Sequence, residues 1–241
     1  MSTRQHTGKR KIRTVSFSGI DGAGKSTQIG LLRSRFEQMG LAVRVVAFWD
    51  DVATLTWMRE NASHAIFKGD KGVGSPEAPI HRRDKNVRSP LLTCIRLCVY
   101  LLDAVSLYRV TRKTMRSDLD CVIFDRYIYD QFANLNLRNP IIRLYVRAIM
   151  LLVPRTDVSF LIDVEPSEAR RRKPEYPIDF LIEARASYLI VNDLTGCFTV
   201  IPPMRPKEVH RQVFAYAAPD RAIEATLPEI GIDVLPNQEI G

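Results

Sequence analysis

The stretch Gly-Ile-Asp-Gly-Ala-Gly-Lys-Ser at residues 19–26, entered from the run Val15-Ser16-Phe17-Ser18, constrains this 241-residue chain more than any other segment. A Gly-x-x-x-x-Gly-Lys-Ser loop needs a strand before it and a helix after it, because successive backbone N–H groups must turn inward around phosphate oxygens at a helix N-terminus. Gly19, Gly22 and Gly24 open conformations closed to residues with a Cβ. Leu31, Leu32 and Phe36 then form an apolar stripe at helical spacing. Residues Gly19, Ile20, Asp21, Gly22, Ala23, Gly24, Lys25, Ser26 and Thr27 are therefore expected to cradle a nucleotide triphosphate. Lys25 is placed to reach the β- and γ-phosphates, and Ser26 to offer its hydroxyl to Mg2+.

A hydrophobic content of 46% is enough for a real core, and the length fits one α/β domain. The formal net charge of +8 favours anionic ligands without choosing among nucleotides, nucleic acids and membrane surfaces. Part of that excess lies in Arg4, Lys9, Arg10, Lys11 and Arg13, ahead of the first strand. Residues 1–12 are read as a solvated basic tail rather than a nucleic-acid contact; they lack the apolar segment of a secretory signal. Cys94, Cys98, Cys121 and Cys197 form no Cys-x-x-Cys pair and sit among apolar neighbours, which predicts buried thiols in a reducing cytoplasm and no zinc site. The apolar stretches 91–108 and 141–153 are interrupted by Arg96, Asp103, Arg143 and Arg147, so they read as core helices rather than membrane spans.

Strand-like runs at 15–18, 42–48, 121–124, 158–162 and 198–201 alternate with helical patterns, which predicts a parallel sheet flanked by helices. Residues 69–88, rich in Gly, Pro and charge, read as a long surface loop. Ligands of such sheets bind beyond the carboxyl ends of the strands, so the residues just after each strand carry the functional expectations. After the second run come Trp49, Asp50 and Asp51, with Asp50 the candidate for the site and Asp51 either a helix cap or an active-site acid. After the third come Asp125, a candidate metal-organising carboxylate, and Arg126, whose planar fork suits a phosphate. After the fourth, Pro166 opens a short helix ending in Arg170, Arg171 and Arg172. Three successive arginines cannot share one helix face, so at least one is expected to project into a loop closing over the triphosphate.

Taken in order, residues 19–28, Phe-Asp-Arg-Tyr at 124–127, Leu-Ile-Asp-Val-Glu-Pro-Ser-Glu-Ala-Arg at 161–170 and Pro-Lys-Glu-Val-His at 206–210 resemble the thymidylate kinase family of phosphate-loop kinases. The resemblance implies a P-loop three-layer fold with a five-stranded parallel sheet of order 2-3-1-4-5 over residues 13–217, followed by an extension at 218–241. It implies ATP and Mg2+ as cosubstrates and transfer of the γ-phosphoryl to a nucleoside monophosphate, deoxythymidine monophosphate being the first choice. By position, Lys25 and Ser26 would hold ATP and Mg2+, Asp21 the acceptor's sugar, and Arg126 its phosphate. Asp125 would order the metal, Arg170–Arg172 would supply the stabilising charge, and the helix at 91–108 could join a homodimer. The chain departs from the family pattern at Trp49-Asp50-Asp51-Val52, at Ala104 after Asp103, and at Ile-Tyr-Asp-Gln-Phe after Tyr127, where the family carries a serine. Phosphorylation of a hydroxyl, with Asp50 as base, and ATP binding without catalysis are the alternatives.

Overall fold

The computed structural model describes residues 13–54 and 90–218. Five parallel strands form one sheet in the order β2-β3-β1-β4-β5: β1 (Arg13–Ser18), β2 (Val43–Ala47), β3 (Cys121–Asp125), β4 (Val158–Ile162) and β5 (Thr199–Ile201). The helices are α1 (Lys25–Gln38), α2 (Pro90–Thr114), α3 (Ile128–Phe132), α4 (Pro140–Leu152), α5 (Pro166–Arg172), α6 (Ile178–Thr195) and α7 (Pro206–Ala217). The expected order is thus the observed one, and each strand-like run falls on a strand. The basic tail and the loop at 69–88 lie outside the described residues, as does the extension from 219 onward.

β1 is central, pairing with β3 and β4, and all but its first residue are buried. Its hydroxyls are all satisfied: Ser16 Oγ donates to Ser159 Oγ at 3.0 Å, Thr14 Oγ1 to Asp157 Oδ2 at 2.8 Å, and Ser18 Oγ to Asp130 Oδ2 at 2.6 Å. A buried polar side chain in a central strand is tolerated only on those terms. Helix α1 packs Ile29, Leu32 and Phe36 inward, each contributing about 1.5–3 kcal/mol by leaving water. Phe36 meets Phe214 of α7 with ring centroids 6.0 Å apart. Leu31 corrects the expected stripe: it is 43% exposed, because Gln28, Ile29, Leu32 and Phe36 already define the inner face.

The expectation of buried thiols holds for Cys121, whereas Cys197 is half-buried and Cys94 and Cys98 are exposed. The reason is the outer face of α2, where Ile95, Leu101, Leu102, Val105 and Tyr108 are also exposed. Helix α4 likewise exposes Ile141, Leu144, Leu151 and Leu152, so neither helix is enclosed as a core helix would be. No helix among the described residues is long and apolar enough to cross a membrane.

Candidate functional site

The carboxyl ends of β1, β3 and β4 bring Asp21, Lys25, Asp125, Arg126 and Arg172 together, whereas Asp50 lies beyond β2. The chain leaves β1 at Ser18, runs through residues 19–24 and enters α1 at Lys25, with Gly24 in the left-handed region as the residue before the helix. Gly22 has φ +83°, and a Cβ there would strike the carbonyl oxygen of Ala169 in α5. Glycine at this point serves two needs, the turn itself and the close approach of α5 to the loop. α5 is therefore packed directly on the loop.

Lys25 is buried and donates from Nζ to the carbonyl oxygens of Gly19 at 2.8 Å and Ile20 at 2.9 Å. Burial lowers its pKa to about 8 and the Arg126 charge adds to the effect, against the pull of Asp21, Asp130 and Asp125. Ser26 and Thr27, in the first turn of α1, are exposed, and Ile20 and Ala23 are buried. The loop thus presents a lysine folded into its interior beside an open helix N-terminus.

Arg126 lies just beyond β3 with φ +67°, an uncommon conformation for a residue with a side chain. Its N–H donates to the Phe17 carbonyl at 3.0 Å, tying it to β1. Nη2 donates to Asp21 Oδ1 at 2.7 Å and Nη1 to Asp130 Oδ1 at 3.1 Å. Burial alone would weaken its hold on a proton, but Tyr188, Asp130, Asp21 and Asp125 outweigh that and push its pKa upward. The carboxyl of Asp21 is held below its ordinary range: desolvation opposes this, and the charges of Arg126, Lys25 and Lys173 prevail. Asp21 and Arg126, read separately as sugar and phosphate ligands, are paired to each other. Asp125, half-buried at the end of β3, is close enough for its charge to act on both Lys25 and Arg126.

The three arginines of α5 are not equivalent. Arg171 is the most exposed and pairs with Glu168 through Nε and Nη2 at 2.8 and 2.7 Å. Arg172 also donates to Glu168, at 2.9 Å, and its Nη1 comes within 3.9 Å of where a Cβ on Gly24 would stand. Arg170 is half-buried. Arg171 and Arg172, three and four residues after Glu168, both converge on its carboxylate, and Arg172 is the one seen to come near the loop at Gly24.

Beyond β2 the chain makes a single wide π turn over Phe48–Val52. Asp51 Oδ2 accepts from the N–H of Ala47, the residue before the turn, at 2.8 Å and closes the turn on itself. Asp50 is exposed. Asp103, on α2, is fully buried and accepts from both the N–H and the hydroxyl of Thr54, at 2.6 and 2.7 Å, and from Gln131 Nε2. It anchors the segment leaving the turn to α2 and α3.

Two groups at the site went unassigned in the sequence reading. Asp130 is buried and takes four donors, and its reach back to the Tyr127 N–H, as a helix-capping acid does, was the available sequence signal. Arg185, on α6, grips Asp163 through Nε and Nη2 at 2.7 Å each and Glu165 through Nη1 at 2.9 Å. Nothing local in the sequence couples positions 22 residues apart.

No protein-family model and no curated protein sequence matches the chain. Among solved structures it is similar to a thymidylate kinase from Ehrlichia chaffeensis, with 20% identity and a TM-score of 0.51 over 85% of this chain and 97% of that one. Together with the strand order, that likeness establishes the fold: a parallel α/β sheet of the phosphate-loop kinase type.

Proposed function

We propose that this protein is an ATP- and Mg2+-dependent phosphotransferase that moves the γ-phosphoryl group of ATP to a nucleoside monophosphate, deoxythymidine monophosphate being the first acceptor to try. The observation that carries the reading is the convergence of three cations on one loop: Lys25 inside it, Arg172 against Gly24, and Arg126 tied to Asp21. The loop fits a polyphosphate, since its left-handed glycines turn backbone N–H groups inward at the start of α1. On this reading Ser26 would hold Mg2+, which when bound neutralises phosphate charge.

A monophosphate acceptor is already ionised and needs no base, so catalysis reduces to positioning and charge neutralisation. Lys25 releases the two loop carbonyls and turns to the phosphates. Arg126 orients the acceptor's anionic end, Asp21 its sugar, and the half-buried Asp125 would help order the Mg2+, while Asp21, Asp130 and Asp125 together favour the charged lysine. Arg172, the arginine of α5 nearest Gly24, brings positive charge to the transferring group. Thymidylate kinase-like architecture supports this assignment.

A second reading, transfer to a hydroxyl, is favoured by one observation: both Nη atoms of Arg126 already serve carboxylates. A hydroxyl acceptor needs a base, and of the two exposed carboxylates at the β2 end Asp51 closes the turn on Ala47, which leaves Asp50 as the candidate. One experiment separates the readings. ADP release with Mg2+ and ATP is followed against deoxythymidine, deoxyuridine and other nucleoside monophosphates, beside the free nucleosides. Turnover of monophosphates is expected; turnover of free nucleosides alone selects the hydroxyl reading, and tight ATP binding with no transfer to any acceptor defeats both.

A further inference from the structure

Asp130 occupies the third position of α3 and is only 2% exposed. A carboxylate that far from water persists as an anion only when its lone pairs are filled. Oδ2 accepts from the Ser18 hydroxyl at 2.6 Å and from the Tyr127 N–H at 3.1 Å. Oδ1 accepts from the Tyr188 hydroxyl at 2.7 Å and from Arg126 Nη1 at 3.1 Å. The first oxygen therefore closes the helix end and the last residue of β1. The second serves no secondary structure; it connects an arginine to a tyrosine.

That connection fixes a direction. Arg126 is gripped at both ends of its fork, by Asp21 of the phosphate loop and by Asp130 beneath, so its guanidinium plane is set by two carboxylates rather than by packing. Tyr188 carries the link into α6, whose Arg185 stands one turn earlier and holds Asp163 and Glu165 at the entry to α5. One face of α6 thus touches both the carboxylate that holds Arg126 and the start of the helix bearing Arg172. With all four donors in place, Asp130 has no lone pair to spare as a base.

We propose that Asp130 is a positioning residue, which aims Arg126 at the phosphate loop and, through Tyr188, ties that aim to α6 and so to the arginine-bearing α5. The inference rests on the phosphotransferase reading, and its test carries a readout that does not need turnover. In full-length protein labelled with 15N-arginine, the guanidinium signals of Arg126 are identified by their loss in Arg126→Lys. The two Nη groups should appear as separate, slowly rotating signals in wild type, collapse in Asp130→Asn, and broaden in Tyr188→Phe. Where phosphoryl transfer is measurable, Asp130→Asn should lower kcat about tenfold to hundredfold, as small misplacements of a positioning group do, with KM for ATP within about threefold. Unchanged Arg126 signals in both variants overturn the proposal whatever the rates. If Asp130→Asn fails to fold, Tyr188→Phe, which removes one hydroxyl, decides alone. A wild-type protein that transfers no phosphoryl group would defeat the functional reading while leaving the signals to judge the positioning role.

Discussion

Asp21 and Arg126 stand 105 positions apart in the chain and meet at 2.7 Å, joining the phosphate loop to the end of β3. Each was expected to face a ligand; in the structure each faces the other. Arg126→Ala should therefore cost stability as well as catalysis, since it takes the arginine partner from Asp21 and, among the described residues, the only cationic donor from the buried Asp130. Unpairing a buried charge costs about 3–5 kcal/mol, read as a lower midpoint in denaturant. A variant as stable as wild type would show that the pair is not maintained in solution.

Lys25 sits where its loss cannot be compensated, because no other cation of the described residues hydrogen-bonds the loop carbonyls of Gly19 and Ile20. Lys25→Ala should reduce phosphoryl transfer on the order of 10³-fold, the scale of removing one charge-stabilising donor. Wild-type turnover in this variant, measured by ADP release, would remove the phosphate-loop assignment.

The same lysine sets a pH dependence. Burial first, then Arg126, brings its pKa to about 8, below the 10.5 of the exposed chain, so the folded state holds this proton more weakly than the unfolded state does. The resulting cost is fully present below pH 8 and is relieved as pH rises from about 8 to 10.5. A triphosphate favours the charged form and should pull the pKa back up. ATP binding near pH 8.5 is therefore expected to take up a proton, measurable by calorimetry in two buffers of different ionisation heat. The uptake should vanish in Lys25→Gln; equal uptake in both proteins would locate the proton elsewhere.

Arg172 and Arg171 share Glu168, yet only Arg172 is seen to approach Gly24. Arg172→Ala should lower kcat by about 10²- to 10³-fold, whereas Arg171→Ala, at an exposed ion pair, should stay within about twofold. Equal losses in the two variants would mean that α5 turns during the reaction.

Gly22→Ala places a Cβ against the carbonyl oxygen of Ala169 at φ +83°. The strain should cost about 1–3 kcal/mol, and the melting midpoint should fall by about 2–4 °C for each kcal/mol. Gly30→Ala in the exposed face of α1, where a Cβ meets nothing within 4 Å, should instead be neutral or stabilising. A reversed order of stabilities would contradict the packing of α5 on the loop.

Much of this was legible locally. Val15–Ser18 followed by the glycine-rich run and a helical stripe reads as a strand, a tight loop and a helix, and the alternation of strand and helix patterns points to a parallel sheet, all of which the structure has. Pro166 opening α5 and the arginines closing it were equally readable, since dipole and proline preferences act within one turn. The errors came where burial depends on what packs across an element. Leu31 looks like Leu32 in sequence, and Cys94 and Cys98 look like core thiols; exposure of each is decided by the neighbours of α1 and α2, which periodicity does not name.

The linear sequence by itself determined the strand order's raw material and the chemistry of the loop, because glycine torsions, helix starts and apolar periodicity are properties of short segments. Only the tertiary structure decided the partners: Asp21 with Arg126, Asp130 with Ser18 and Tyr188, Asp163 with Arg185, and Arg172 rather than Arg171 at the loop. Those pairings arise where strand ends from distant parts of the chain converge, and buried charges must find counter-charges there whatever their separation in sequence.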